Sequence, residues 1–321
     1  MIALLVFLQL NLSVAVSGPY TSPEYLPLHV AEAEGYFSQE GLQVSLRTTR
    51  SEPGAAEALA RGQADVAVTS LEAALRNGAV GGRAPRLVFG LTAAPPVALL
   101  VPTTHRATIN RIEDLAGRTV GLSSPGAPEQ SLLYALLEHH RIRPVQLTLV
   151  SLGERGLVAA LEQGEIHAAL LPDPWATRLA QEGKVTVLAD FRRPDEAARW
   201  LGGPTVHAAL FVRPDGGLTP PQLTALARAL LQAVRRVETA HPEDLLARLP
   251  QRAVGLKDDF ITRLAGAREI YLPGGWVRPE PLELSVAMIR ARAPLPRAVD
   301  LPRRPADLLL LGPLKTVLDS K

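Results

Sequence analysis

Few residues in this chain have the type and spacing needed for covalent chemistry. It contains no cysteine, so a thiolate nucleophile, a thiolate zinc site, an iron–sulfur cluster and a disulfide framework are all excluded. His139 and His140 are neighbours on an expected helix and point in different directions, while His29, His105, His207 and His241 are scattered. No His-x-x-x-His or His-Glu-x-x-His spacing, no Walker loop and no Gly-x-Gly-x-x-Gly occurs. The string Gly121-Leu122-Ser123-Ser124-Pro125-Gly126 misses the nucleophile-elbow pattern by one residue. The expectation is therefore no catalytic residue, no metal ligand and no cofactor.

Binding chemistry is better represented. Ser123-Ser124-Pro125-Gly126-Ala127 leads into an expected helix. It offers hydroxyls, free backbone N–H groups and a positive helix end to an anion or polar group. A simple N-cap explains the same residues. Asp173 and Trp175, in Pro172-Asp173-Pro174-Trp175, give either a carboxylate acceptor beside a flat stacking wall or a helix cap with an inward tryptophan. As a ligand contact, Asp173 would favour an amine- or pyrimidine-like solute over a purely anionic one. No arginine is read at a strand end, which weighs against sulfonate or nitrate.

These residues must be positioned by regular elements. Leu10, Leu12, Val14 and Val16 alternate with polar or small residues, the period of a strand. A helix over 26–37, a strand from Leu42, a helix over 53–61 and a buried strand over 65–69 follow, with further strands at 87–91 and 97–101. The alternation restarts at Arg118: strands at 118–122, 147–150, 167–171 and 185–188 with helices at 129–140, 156–162 and 175–181. After a strand at 207–212 the chain turns helical (220–240, 242–249, 257–267, 280–291) and ends in a proline- and arginine-rich segment. Alternating strands and helices indicate an α/β fold with largely parallel sheets. Leu59-Ala60-Arg61-Gly62-Gln63-Ala64-Asp65-Val66-Ala67 is echoed by Leu161-Glu162-Gln163-Gly164-Glu165-Ile166-His167-Ala168-Ala169, which points to two units of similar build.

In such folds ligands lie beyond the carboxyl ends of strands. The candidates there are Tyr20, Thr21 and Tyr25, then Thr69 and Ser70, then Leu91 and Thr92, and in the second unit Ser123, Ser124, Gly126, Asp173 and Trp175.

Composition sets the remaining bounds. With 321 residues, 47% apolar and 21% charged, the chain allows two modest globular domains or one large one and is not of disordered composition. A net charge of +2, with few aromatic residues and arginines scattered among acids, gives no stripe for nucleic acid. Residues 1–8 are too short a run to span a bilayer. They read as either the remnant of an export signal or an extension of the first strand.

Four stations carry a family likeness. Ala33-Glu34-Gly35-Tyr36-Phe37-Ser38-Gln39-Glu40-Gly41-Leu42-Gln43-Val44, Gly62-Gln63-Ala64-Asp65-Val66-Ala67, Ile112-Glu113-Asp114-Leu115-Ala116-Gly117-Arg118-Thr119-Val120-Gly121 and Pro172-Asp173-Pro174-Trp175-Ala176 occur in that order. Together they resemble periplasmic solute-binding proteins of ABC importers, of the sulfonate, nitrate, taurine and thiamine-precursor type, over roughly residues 9–215. The resemblance implies a two-lobed type 2 periplasmic-binding-protein-like fold with a two-strand hinge near 97–102 and 205–214. Lobe 1 would comprise 9–98 plus 210–292, lobe 2 would comprise 103–204, and 293–321 would form a tail. It implies capture of a small polar solute by hinge closure, ABC permease subunits as partners, and a monomer in the periplasm or elsewhere outside the cytoplasm. The alternative is a cytoplasmic enzyme on the same scaffold, of the thiamine-precursor or menaquinone type. A ligand-sensing module would need an output domain for which the chain has no room. His167 departs from the pattern, standing where Asp65 stands in the first unit, and is read as structural.

Overall fold

A computed structural model describes residues 10–124, 128–292, 295–297 and 299–320. The apolar run over 2–8 lies outside them. The ten strands are β1 (Leu10–Val16), β2 (Leu42–Thr48), β3 (Val66–Ser70), β4 (Arg86–Thr92), β5 (Val97–Pro102), β6 (Thr119–Leu122), β7 (Thr148–Ser151), β8 (Ala168–Pro172), β9 (Val185–Asp190) and β10 (Ala208–Val212). They form two five-stranded sheets, ordered β2-β1-β3-β10-β4 and β7-β6-β8-β5-β9. The two orders are one plan used twice. In each, three parallel strands are followed by a strand running antiparallel to both its neighbours, β10 in the first sheet and β5 in the second.

Inner strands such as Val66–Ser70 and Val97–Pro102 are buried along their whole length, as expected for strands covered on both faces. In β5 the two-residue period divides the burden. Val97, Leu99 and Val101 join one apolar cluster, while Ala98 and Leu100 join the cluster on the opposite face of the sheet. The repeated glycine strings behave alike: Gly62 (φ 69°) and Gly164 (φ 68°) both take the left-handed conformation that ends a helix.

The helix expected over 26–37 is two helices, Leu26–Ala33 and Tyr36–Gln39. Gly35 between them has φ 72°, which turns the chain. A helix at Pro194–Leu201 was not expected. Its few apolar positions, Ala197, Trp200 and Leu201, sit among charges, yet they pack on the second sheet's core.

The chain passes between sheets twice, over 93–96 and back over 202–207, and the two passages are bonded together. The Thr205 hydroxyl donates to the Ala93 carbonyl at 2.8 Å and the His207 N–H to the Thr92 carbonyl at 2.8 Å. All of β5 lies in the second sheet, so Val97 and Ala98 belong there and not with the first unit as expected. The segment expected as a tail contributes to the first core. Leu308, Leu311, Leu314 and Val317 complete the first core, and the helix Gly312–Asp319 packs on the long helix Pro220–Thr239. Among the described residues no helix is long and apolar enough to cross a membrane.

Candidate functional site

The carboxyl ends of the parallel strands in both sheets open into one cleft of about 680 Å³. That is within the usual range for small-molecule sites. Its floor is Pro95 and Pro96 of the first passage with Val97 at the start of β5. One wall comes from the segments after β1 and β2 together with His207, and the other from the segments after β6, β7 and β8. Gly255, Leu256, Asp259 and Arg263, around the start of the helix Lys257–Ala267, close one side.

The first wall centres on Glu52, in the first turn of the helix Glu52–Ala60. Its carboxylate accepts from the Tyr25 hydroxyl (2.7 Å), the Thr69 hydroxyl (2.8 Å) and the Ser70 N–H (2.7 Å). Burial, and then the carboxylates of Glu52 and Glu24, push the Tyr25 phenol well above its ordinary range, so it stays a donor. Beside it, His207 and Glu24 form an ion pair at 2.7 Å, and the Ser22 hydroxyl donates to the other Glu24 oxygen at 2.9 Å. Burial works against the His207 imidazolium, but Glu24, with Glu52 and Glu72, outweighs it and raises the pKa.

On the second wall, one oxygen of Glu129 receives both the backbone N–H of Ser123, at 3.2 Å, and its hydroxyl. Asp173 receives the Thr177 N–H (3.1 Å), the Thr177 hydroxyl (2.8 Å) and the Arg192 guanidinium (2.9 Å). The same guanidinium pairs with Asp190 at 2.6 Å. Trp175 lines the cleft, its indole N–H donating to Glu154 at 3.2 Å and Arg178 lying 5.4 Å from its ring centre. Arg178 also pairs with Asp259 across the cleft. Arg263 donates to the Val254 carbonyl at 2.6 Å, and its pKa is lowered by burial although Asp259 and Asp173 oppose this.

With this geometry, comparison with known proteins is informative. The family model described as "NMT1/THI5 like" matches residues 22–197. A curated relative, the taurine-binding periplasmic protein of Escherichia coli (strain K12), is 30% identical over 267 residues, covering 82% of this chain and 76% of that one. The chain belongs to the NMT1/THI5-like family. Among solved structures, the alkanesulfonate-binding protein SsuA of Xanthomonas axonopodis pv. citri, bound to MOPS, superposes with TM-score 0.66 at 17% identity, covering 94% of this chain and 98% of that one. The aliphatic sulphonate binding protein SsuA of Escherichia coli gives TM-score 0.69 at 19% identity over 88% and 86%. At these identities the structures establish the fold, that of periplasmic binding proteins.

In this NMT1/THI5-like chain the expected site residues divide. Thr21, Ser123, Ser124, Asp173 and Trp175 line the cleft. Tyr25 and Thr69 stand behind Glu52 as its donors, and Ser70 also caps the next helix through the Ala73 N–H. Leu91 and Thr92 are fully buried, the Thr92 hydroxyl accepting from the Ala208 N–H. Tyr20 stacks on His29 at 4.8 Å under Arg252. Gly126 lies outside the described residues. Asp173 accepts the Thr177 N–H in the first turn of the helix Trp175–Gln181 and also lines the cleft. Its charge, however, is already met by Arg192.

The expectation that no arginine stands at a strand end is overturned. Arg50 follows β2 and lines the cleft, and Arg192 follows β9. Both strands run two residues past the apolar alternation that marked them, which hid these positions. Glu24, Glu52 and His207 were also not anticipated. A glutamate in the first turn after Ser51 was the one available signal for Glu52.

Proposed function

We propose that this chain is the solute-binding component of an ABC importer. It takes a small polar solute into the cleft, and two lobes, one built on each sheet, close on it by rotation about the two passages. The observation that carries this reading is the cleft itself, where binding-type side chains converge from the strand ends of both sheets. The family membership and the taurine-binding relative support it. The relatives reported above are named for binding, which favours capture without chemical change over an enzyme on this scaffold. The relative's periplasmic name supports action outside the cytoplasm. The chain works as a monomer that hands its solute to permease subunits.

Two measurements test this. Mass spectrometry of material released from the purified protein should identify a stoichiometric small solute. Adding that solute back should then shrink the radius of gyration in small-angle scattering. Consumption of the solute with release of a product would overturn the reading.

A further inference from the structure

Resting on that reading of the cleft, we infer that the solute carries a protonated amine and no net negative charge. The inference comes from which ionised groups on the walls already have a counter-charge. Glu24, Asp173 and Asp259 are matched by His207, Arg192 and Arg178. Glu52, Glu129 and Glu154 line the same cleft, and among the described residues their bonds come from neutral groups only: Tyr25, Thr69 and Ser70 for Glu52, Ser123 for Glu129, Trp175 for Glu154. Two cations on the lining, Arg50 and Arg263, form no ion pair among the described residues, and Arg50 is exposed at the rim.

Closure makes this imbalance matter. Glu52 belongs to one wall and Glu129 and Glu154 to the other, so bringing the walls together drives like charges toward each other while water leaves. Dehydrating carboxylates without a counter-charge is costly. An ammonium group between the walls supplies that charge and gives closure an electrostatic reason. An anionic end, where the solute has one, has Arg50 and Arg263 to meet it. A solute with only an anionic group would face the three carboxylates unrelieved.

The test is calorimetric titration of the unliganded protein with four probes: taurine, 1,4-diaminobutane, ethanesulfonate and nitrate. At least one of the two amines should bind tenfold or more tightly than ethanesulfonate and nitrate. Glu154→Gln and Glu129→Gln should each weaken the amine about tenfold. Glu154 is exposed and its variant keeps the test open should Glu52→Gln, which puts an NH2 in place of one of the two oxygens that serve three donors, fail to fold. Ethanesulfonate or nitrate binding as tightly as both amines overturns the ammonium assignment and leaves the solute-binding reading standing. If none of the four binds, the solute released from purified protein decides. A basic nitrogen in it supports the assignment and its lack overturns it, while no released solute at all overturns both readings.

Discussion

His167 makes in the second sheet the bonds that Asp65 makes in the first. The Asp65 N–H donates to the Ser13 carbonyl and its carboxylate accepts the Ser13 N–H, both at 2.8 Å. The His167 N–H donates to the Thr119 carbonyl at 2.9 Å, and its Nδ1 accepts the Thr119 N–H at 3.2 Å. An imidazole nitrogen thus stands in for a carboxylate oxygen at the start of a strand. This accounts for the departure from the repeated pattern and assigns His167 to structure.

That equivalence predicts the outcome of His167→Asp. Burial, and then the charges of His105 and Arg118, lower the His167 pKa. Nδ1 can accept only when neutral, so its contribution is complete above the unfolded value near 6.5 and is lost as pH falls below it. His167→Asp should fold as well as the parent at pH 7 and lose less stability by pH 5. His167→Ala should cost about 1 kcal/mol at pH 7. Urea unfolding at the two pH values checks this, and an aspartate variant as poor as the alanine one would refute the equivalence.

A second acid-sensitive group lies in the first core. His29 is buried against Tyr20, and burial, followed by the nearby charge of Arg252, lowers its pKa to about 4. The unfolded chain therefore binds the proton more readily. Stability is complete above about pH 6.5 and declines toward pH 4, by roughly 3 kcal/mol in total. His29→Leu should flatten that limb when unfolding free energy is measured from pH 7 to pH 4.5. An unchanged slope would count against it.

Lobe closure can be separated from folding at Gly266. A Cβ there would stand 2.5 Å from an oxygen of Asp173, on the opposite wall. Alanine favours the helix Lys257–Ala267 by about 1 kcal/mol over glycine, so Gly266→Ala should not lower the unfolding midpoint. It should hold the walls apart, weaken solute binding at least fivefold, and leave the solute-loaded protein larger by small-angle scattering than the parent. Parent-like affinity would show that the contact plays no part in closure.

Trp175 should report occupancy. It is the one of the chain's three tryptophans that lines the cleft. Trp175→Phe should abolish a solute-induced change in fluorescence, whereas Trp200→Phe and Trp276→Phe should retain it. Titration under identical conditions checks this, and a signal that follows Trp276 instead would move the site.

The sheets were legible in the sequence because buried strands announce themselves. Runs such as Val66–Val68 and Ala168–Leu171 are apolar throughout, and each starts four residues after a glycine that ends a helix. The repeated Gly62 and Gly164 strings disclosed the doubled plan. The cleft was legible only in part. Thr21, Ser123, Ser124, Asp173 and Trp175 follow strands closely enough to be found by position alone. Glu52, Glu24 and His207 become a unit only when β3, the loop after β1 and the second passage meet in space. Nor does local sequence disclose a charge match such as Asp173 with Arg192, whose partners lie on different segments. Read alone, Asp173 favoured an amine-bearing solute, and its pairing with Arg192 removes that ground.

The placement of β10 carries a consequence for synthesis. All strands of the second sheet lie between Val97 and Asp190, whereas the first sheet needs β10, residues 208–212, between β3 and β4. Its apolar interior also takes Leu314 and Val317 from the last turns of the chain. A ribosome therefore delivers every strand of the second sheet before β10, while the first sheet, though begun earlier, keeps an open seam until residues 208–212 and then 314–317 have emerged.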